Sequence, residues 1–183
     1  PDMLALPPCS GSFVLTDINT GKVKALVSYP GYDANQINNV SYYASLINNS
    51  SSPLYNRATQ QTLAPGSTFK PISAIAGLEE GVIDADTYIT DYVEYTKVVP
   101  HANCWNSAGH GTINVEQAIE YSCNYFFYEV GYRLGSKNNT TELSDSTGLA
   151  LLAKYAKMFG LDSVSGLELP ETTPRISDES VVR

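Results

Sequence analysis

Between Gly11 and Pro30 the chain alternates at the two-residue period of a strand. Val23, Ala25 and Val27 interleave with Lys22, Lys24 and Leu26, which makes one apolar face and one mixed face. Ser12-Phe13-Val14-Leu15-Thr16 is a second extended run, and Asp17-Ile18-Asn19-Thr20-Gly21 between them supplies turn chemistry. The pattern predicts a β-hairpin over 11–30. A lone hairpin is marginal in water, so it needs a covering helix or further strands.

After the hairpin the period changes. From Tyr32 to Arg57 the chain is rich in Asn, Ser and Tyr and reads as a polar excursion with short helical turns. Pro65-Gly66 is a turn signal. Ile72 to Glu80 is helix material, with Pro71 near its start and Gly81 at its end. Residues 84–111 look irregular, with a short strand predicted over Val93 to Val98. Asn114 with Gln117 three residues on forms a capping-box signature. Behind it, Val115, Ala118, Ile119, Phe126, Phe127, Val130 and Leu134 trace an apolar stripe that Ser122-Cys123-Asn124 interrupts. Leu149 to Phe159 predicts another amphipathic helix closed by Gly160, and the tail after Pro170 reads as a surface segment or linker. The order is strands first and helices after. It predicts an α+β fold with an N-terminal hairpin and a mainly helical lobe over 59–170.

Composition narrows the function classes. The chain has 183 residues, 43% hydrophobic and 16% charged, enough apolar material for one domain or a large piece of one. A net charge of -8 provides no basic footprint, so nucleic acid is not an expected partner. Binding a carboxylate substrate on an acidic protein would need a local cation. No apolar run reaches the roughly 18 to 20 residues of a membrane span, and no signal peptide is visible; any membrane segment is expected outside this chain. Cys9, Cys104 and Cys123 are too few for a disulfide framework. Asp84, Asp86, Asp91 and Glu94 read as a solvated acidic face.

The candidate chemistry begins at Ser67-Thr68-Phe69-Lys70. On a helix, residues three apart share a face at about 5 to 6 Å, which puts a serine hydroxyl within reach of a lysine amine. A helix N-terminus adds free N–H groups that favour negative charge on oxygen. A neutral amine can serve as base to a nucleophilic serine once desolvation lowers its pKa. Ser122 and Asn124 form a second polar pair inside an apolar pattern, where a hydroxyl and an amide need partners. Facing Lys70 across a cleft, Ser122 could relay a proton and Asn124 could hold a substrate amide.

Asn56-Arg57-Ala58-Thr59-Gln60, followed by Ala64-Pro65-Gly66-Ser67-Thr68-Phe69-Lys70-Pro71, resembles the active-site region of penicillin-binding protein transpeptidases. So do Gly109-His110-Gly111-Thr112, Ala118 to Phe127 around Ser122-Cys123-Asn124, and Phe159-Gly160-Leu161 with Gly166-Leu167-Glu168-Leu169-Pro170. Asp17 to Gly21, Pro30 and Tyr32-Asp33-Ala34-Asn35 look like the opening of that domain, and the monofunctional class B type is the nearest match. The resemblance implies a partial β-lactamase/D,D-transpeptidase-like α+β fold, with residues 1–183 forming an incomplete transpeptidase domain. It implies a peptidoglycan D,D-transpeptidase in which Ser67 is the nucleophile, Lys70 the base, Ser122 the proton relay and Asn124 a substrate-binding residue. The implied partners are D-Ala-D-Ala stem peptides, β-lactams and cell-wall synthesis proteins. The parent would be anchored on the extracytoplasmic side of a bacterial membrane, and no cofactor or metal is expected. The family's third motif, Lys-Thr/Ser-Gly on a later strand, does not occur in this sequence. The chain by itself is therefore expected to have little catalysis, and its hairpin edge to be open to strand-mediated self-association.

Three other readings stand beside this one. Ser-Thr-Phe-Lys also occurs in class D β-lactamases and β-lactam sensor domains, but those usually carry Ser-x-Val where this chain has Ser122-Cys123-Asn124. His101-x-x-Cys104 and His110, with Cys123, offer metal donors at spacings that match no common zinc pattern. A non-catalytic binding or structural module is the third.

Overall fold

The computed structural model describes residues 10–136 and 145–177. Cys9 lies outside them. The chain divides into two compact units, residues 1–63 with 164–173, and residues 64–163 with 174–183.

In the first unit, β1 (Gly11–Thr16) pairs antiparallel with β2 (Val23–Tyr29). The turn closes because Asp17 Oδ1 accepts from the Asn19 and Thr20 N–H groups, and Gly21 takes a φ of +69° that a side chain would disfavour. Asparagine side chains then cap two helices, Asn39 at the start of α1 (Val40–Ile47) and Asn56 at the start of the short α2 (Arg57–Gln60). The α2 helix packs on both strands and is the cover the hairpin requires. Buried Arg57 satisfies its guanidinium on the Ser51 and Ser52 carbonyls, and Thr172 bonds the Gln60 carbonyl, tying 164–173 to this unit.

In the second unit, a 3-10 turn over Gly66–Phe69 leads directly into α3 (Lys70–Glu79). β3 (Ile89–Asp91) pairs with β6 (Gly111–Ile113), and between them β4 (Glu94–Tyr95) pairs with β5 (Ala102–Asn103). The strand predicted over Val93 to Val98 thus shrinks to two residues. α4 (Val115–Glu120) opens with the Asn114–Gln117 capping box, and α5 (Asn124–Gly135) follows after a break at Ser122. α6 (Asp145–Met158) closes the bundle.

α5 is the centre of the core. Phe126, Val130 and Leu134, four residues apart, are fully buried. They cluster with Ala74 and Ala76 of α3, Ala118 of α4, Ile89, Ile113 and Tyr155. Buried Glu129 of α5 is held by Tyr95 Oη, Lys97 Nζ and Arg133 Nε at 2.8 Å each. Among the described residues, no helix is long and apolar enough to cross a membrane.

Candidate active site

The 3-10 turn before α3 is tightened by Thr68, whose hydroxyl donates to the Pro65 carbonyl at 2.6 Å. Pro71 sits in the first turn of the helix, where a missing N–H is harmless. Ser67 is exposed on this turn, and its hydroxyl has no hydrogen-bond partner among the described residues.

Lys70 reaches out from the start of α3 to the α4–α5 junction. There the chain turns sharply: Ser122 has a φ of +52°, and the Cys123 N–H returns to the Ala118 carbonyl at 2.9 Å. Lys70 Nζ donates to Ser122 O at 2.7 Å, Ser122 Oγ at 3.0 Å and Asn124 Oδ1 at 2.7 Å. Three acceptors match the three protons of an ammonium. Burial of Lys70 works the other way and pushes its pKa below the ordinary lysine value. The neutral amine would have one proton fewer and a lone pair for a neighbouring hydroxyl. The left-handed Ser122 backbone is held by a further donor, the Trp105 indole N–H, at 3.1 Å from Ser122 O and 3.2 Å from Tyr121 O. Trp105 had no role in the sequence reading; nothing in its spacing marks it.

Three of the four candidate residues are therefore in direct contact. Ser67 stands three residues before Lys70 on the same turn and accepts the Lys70 backbone N–H on its carbonyl, while its hydroxyl has no partner among the described residues.

A second cluster lies immediately behind Ser122. Asp91, Cys104, His110 and Cys123 bring one donor atom each within 4.8 Å of one another. The sequence reading placed Asp91 on a solvated face. It is 6% exposed instead, because β3 pairs with β6 and turns that carboxylate inward. His101, grouped by sequence with Cys104, lies apart and pairs with Glu94 at 3.0 Å.

Two of the separations suit a tetrahedral ion. Zinc bonds of about 2.3 Å to sulfur and about 2.0 Å to nitrogen imply S···S near ~3.8 Å and S···N near ~3.5 Å. Cys104 Sγ and Cys123 Sγ are 3.9 Å apart, and Cys104 Sγ lies 3.5 Å from His110 Nδ1. The His110 Nδ1–Asp91 Oδ2 separation, 2.7 Å, is that of a hydrogen bond. Burial pushes the Asp91 carboxyl up, but bonds from His110, the Val93 N–H and the two thiols outweigh it and leave the group below its ordinary value. Burial pushes the Cys123 thiol up to about 12.

The comparisons with known proteins agree with this architecture. A family model described as "Penicillin binding protein transpeptidase domain" matches residues 11–182, and the chain belongs to that family. The peptidoglycan D,D-transpeptidase MrdA of Acinetobacter baumannii is 33% identical over 165 residues, covering 87% of this chain and 23% of the relative. The solved structure of penicillin-binding protein A from M. tuberculosis, a ceftriaxone acyl-enzyme complex, superposes with a TM-score of 0.73 at 31% identity, covering 96% of this chain and 40% of that one. A second solved structure, of a peptidoglycan synthase complex that coordinates polymerization and crosslinking, gives a TM-score of 0.81 at 29% identity, covering 93% of this chain and 28% of that one. The chain spans about a quarter of the length of the MrdA relatives it matches.

Proposed function

We propose that this chain carries the nucleophile side of a peptidoglycan D,D-transpeptidase site. The observation that carries the reading is the triple contact of Lys70 Nζ with Ser122 O, Ser122 Oγ and Asn124 Oδ1. Lys70, once neutral, takes the proton of Ser67, and Ser67 Oγ attacks the carbonyl between the two D-Ala residues of a stem peptide. Ser122 passes the proton to the departing D-Ala amine, leaving an acyl-enzyme that the amine of a neighbouring stem then resolves. Asn124 binds the substrate amide, and the Ser67 N–H is one oxyanion donor. β-Lactams acylate the same hydroxyl, as the acyl-enzyme relative suggests. The parent works with other cell-wall synthesis proteins on the extracytoplasmic side of a bacterial membrane.

Fluorescent penicillin tests this on the full-length protein. Labelling at Ser67 is expected; a fully labelled Ser67→Ala variant would refute it. The isolated 183-residue chain has no Lys-Thr/Ser-Gly motif and is expected to label little. It is also expected to self-associate through the exposed strand β1, so a monomer by light scattering would count against that. The class D β-lactamase or sensor reading predicts rapid nitrocefin turnover or a stable sensor acyl-enzyme. Asn124, in place of the usual valine, favours the transpeptidase. A non-catalytic module would not label at all.

The second cluster favours one addition to these roles, a version of the metal reading that stood beside the others. Asp91, Cys104, His110 and Cys123 would hold a zinc ion with all four positions filled by protein, a structural rather than a catalytic arrangement. Zinc retained by the purified protein and lost in Cys123→Ser would support this; metal-free protein with unchanged stability would not.

A further inference from the structure

We propose that Cys104 and Cys123 form a peroxide-sensitive dithiol whose oxidation switches off the neighbouring acyl-transfer site. The sulfurs are 3.9 Å apart, both residues are buried, and both are free thiols. No other side chain separates the two sulfurs, which are themselves in contact. A small oxidant such as hydrogen peroxide suits a site this closed. Cys104, at 6% exposure, is the more accessible of the two, against 0% for Cys123.

The chemistry balances in two steps. Cys104 sulfur attacks the peroxide O–O bond, takes one oxygen as a sulfenic acid and releases the other as water. Cys123 sulfur then attacks Cys104 sulfur and expels that oxygen as a second water. Two thiols lose two electrons and two protons, and one peroxide is reduced to two waters. The S–S bond, about 2.05 Å, draws the sulfurs together by nearly 2 Å. With both sulfurs consumed, Asp91 and His110 are left as the only donors, too few for a closed zinc site, so metal retention and the disulfide exclude each other.

The consequence for function follows from where Cys123 sits. Its Sγ accepts the Phe126 N–H at 3.4 Å and so caps α5. Its backbone lies between Ser122, strained at a φ of +52°, and Asn124. Lys70 Nζ is bonded to both of those neighbours. Withdrawing the sulfur removes the cap and moves the two groups that orient Lys70. A displacement of about 1 Å in such a group costs on the order of a hundredfold in rate.

The loss of activity rests on the transpeptidase reading, whereas the disulfide does not, and the experiment reads them separately. The full-length protein is treated with hydrogen peroxide, with and without a chelator. Peptide mass spectrometry follows the Cys104–Cys123 link, a zinc indicator follows metal release, and fluorescent penicillin follows acylation. The expected result is a Cys104–Cys123 link that forms faster with chelator, with acylation slowed on the order of a hundredfold and restored by a dithiol reductant and zinc. Cys104→Asp keeps an anionic donor but has no dithiol, and it should acylate at the same rate before and after peroxide. Sulfinic acid on either cysteine without a link, or a complete link with unchanged acylation, would overturn the proposal. If the reduced protein never labels, the transpeptidase reading fails, while the mass spectrum still decides the disulfide. If zinc is never retained but the link forms and acylation falls, the switch stands without the metal.

Discussion

Lys70 and Ser122 are 52 residues apart in the chain, yet Lys70 Nζ donates to both the carbonyl and the hydroxyl oxygen of Ser122, at 2.7 and 3.0 Å. A bond to a side-chain oxygen alone would leave the hydroxyl free to rotate away. Bonding both oxygens fixes the amine against a backbone turn that the Trp105 indole also holds. The candidate base and the candidate relay therefore form one rigid unit. Ser67, exposed on the preceding turn with a hydroxyl that has no partner among the described residues, is the member free to receive a substrate.

Ser67→Ala in the full-length protein should abolish β-lactam acylation, a loss of about a thousandfold or more. Because Ser67 is exposed and its hydroxyl has no partner among the described residues, the thermal midpoint should barely move, with a stability change within about 0.5 kcal/mol. Residual stoichiometric labelling elsewhere in the chain would show a different nucleophile.

Burial lowers the Lys70 pKa, and catalysis needs the neutral amine. The acylation rate should be low in acid, rise with pH as the amine loses its proton, and level off before the value of about 10.4 that belongs to a free lysine. Lys70→Arg, always charged, should lose the rising limb. A rate independent of pH across that range would rule out Lys70 as the base.

Burial raises the Glu129 carboxyl, but bonds from Lys97, Arg133 and Tyr95 outweigh it, so its pKa in the folded protein is below the ordinary glutamate value. A depressed carboxylate contributes stability above its unfolded pKa and loses it as pH falls through the folded one. Glu129→Gln should thus cost about 1 to 2 kcal/mol near neutral pH and flatten the decline in acid. Lys97 and Arg133 are partly exposed, which keeps the figure at the low end. Urea unfolding at several pH values measures it; parallel curves for wild type and variant would exclude the assignment.

Gly109 has a φ of +70°, and a Cβ there would lie 2.6 Å from the Asp91 carbonyl oxygen. Gly109→Ala should destabilise the protein by about 1 to 3 kcal/mol and displace Asp91 from the cysteine–histidine cluster. Calorimetry gives the first number, and zinc retention reports the second. Wild-type values for both would mean the loop yields without strain.

Features confined to one turn of chain were legible in the residues. The Asp17–Gly21 turn, the Asn114–Gln117 capping box and the start of α3 beside Pro71 each depend on groups within a few positions of one another. The apolar stripe from Val115 to Leu134 marked the core face of α4 and α5, except at Ile119, which is exposed, and the polar interruption at Ser122 marked the break between them. The resemblance singled out the lysine and the Ser122–Asn124 pair, which the fold brings into contact, because their types and order along the chain carry that information. Geometry between distant segments does not appear in any local period. Asp91 looked like one of a run of solvated acids, and only the β3–β6 pairing turned it inward to His110 and the two cysteines. Trp105 acquired its role from a fold that brings the Tyr121 and Ser122 carbonyls to its indole. Local propensity and capping act over a few residues, whereas burial and long-range hydrogen bonds are settled only when the helices close around α5.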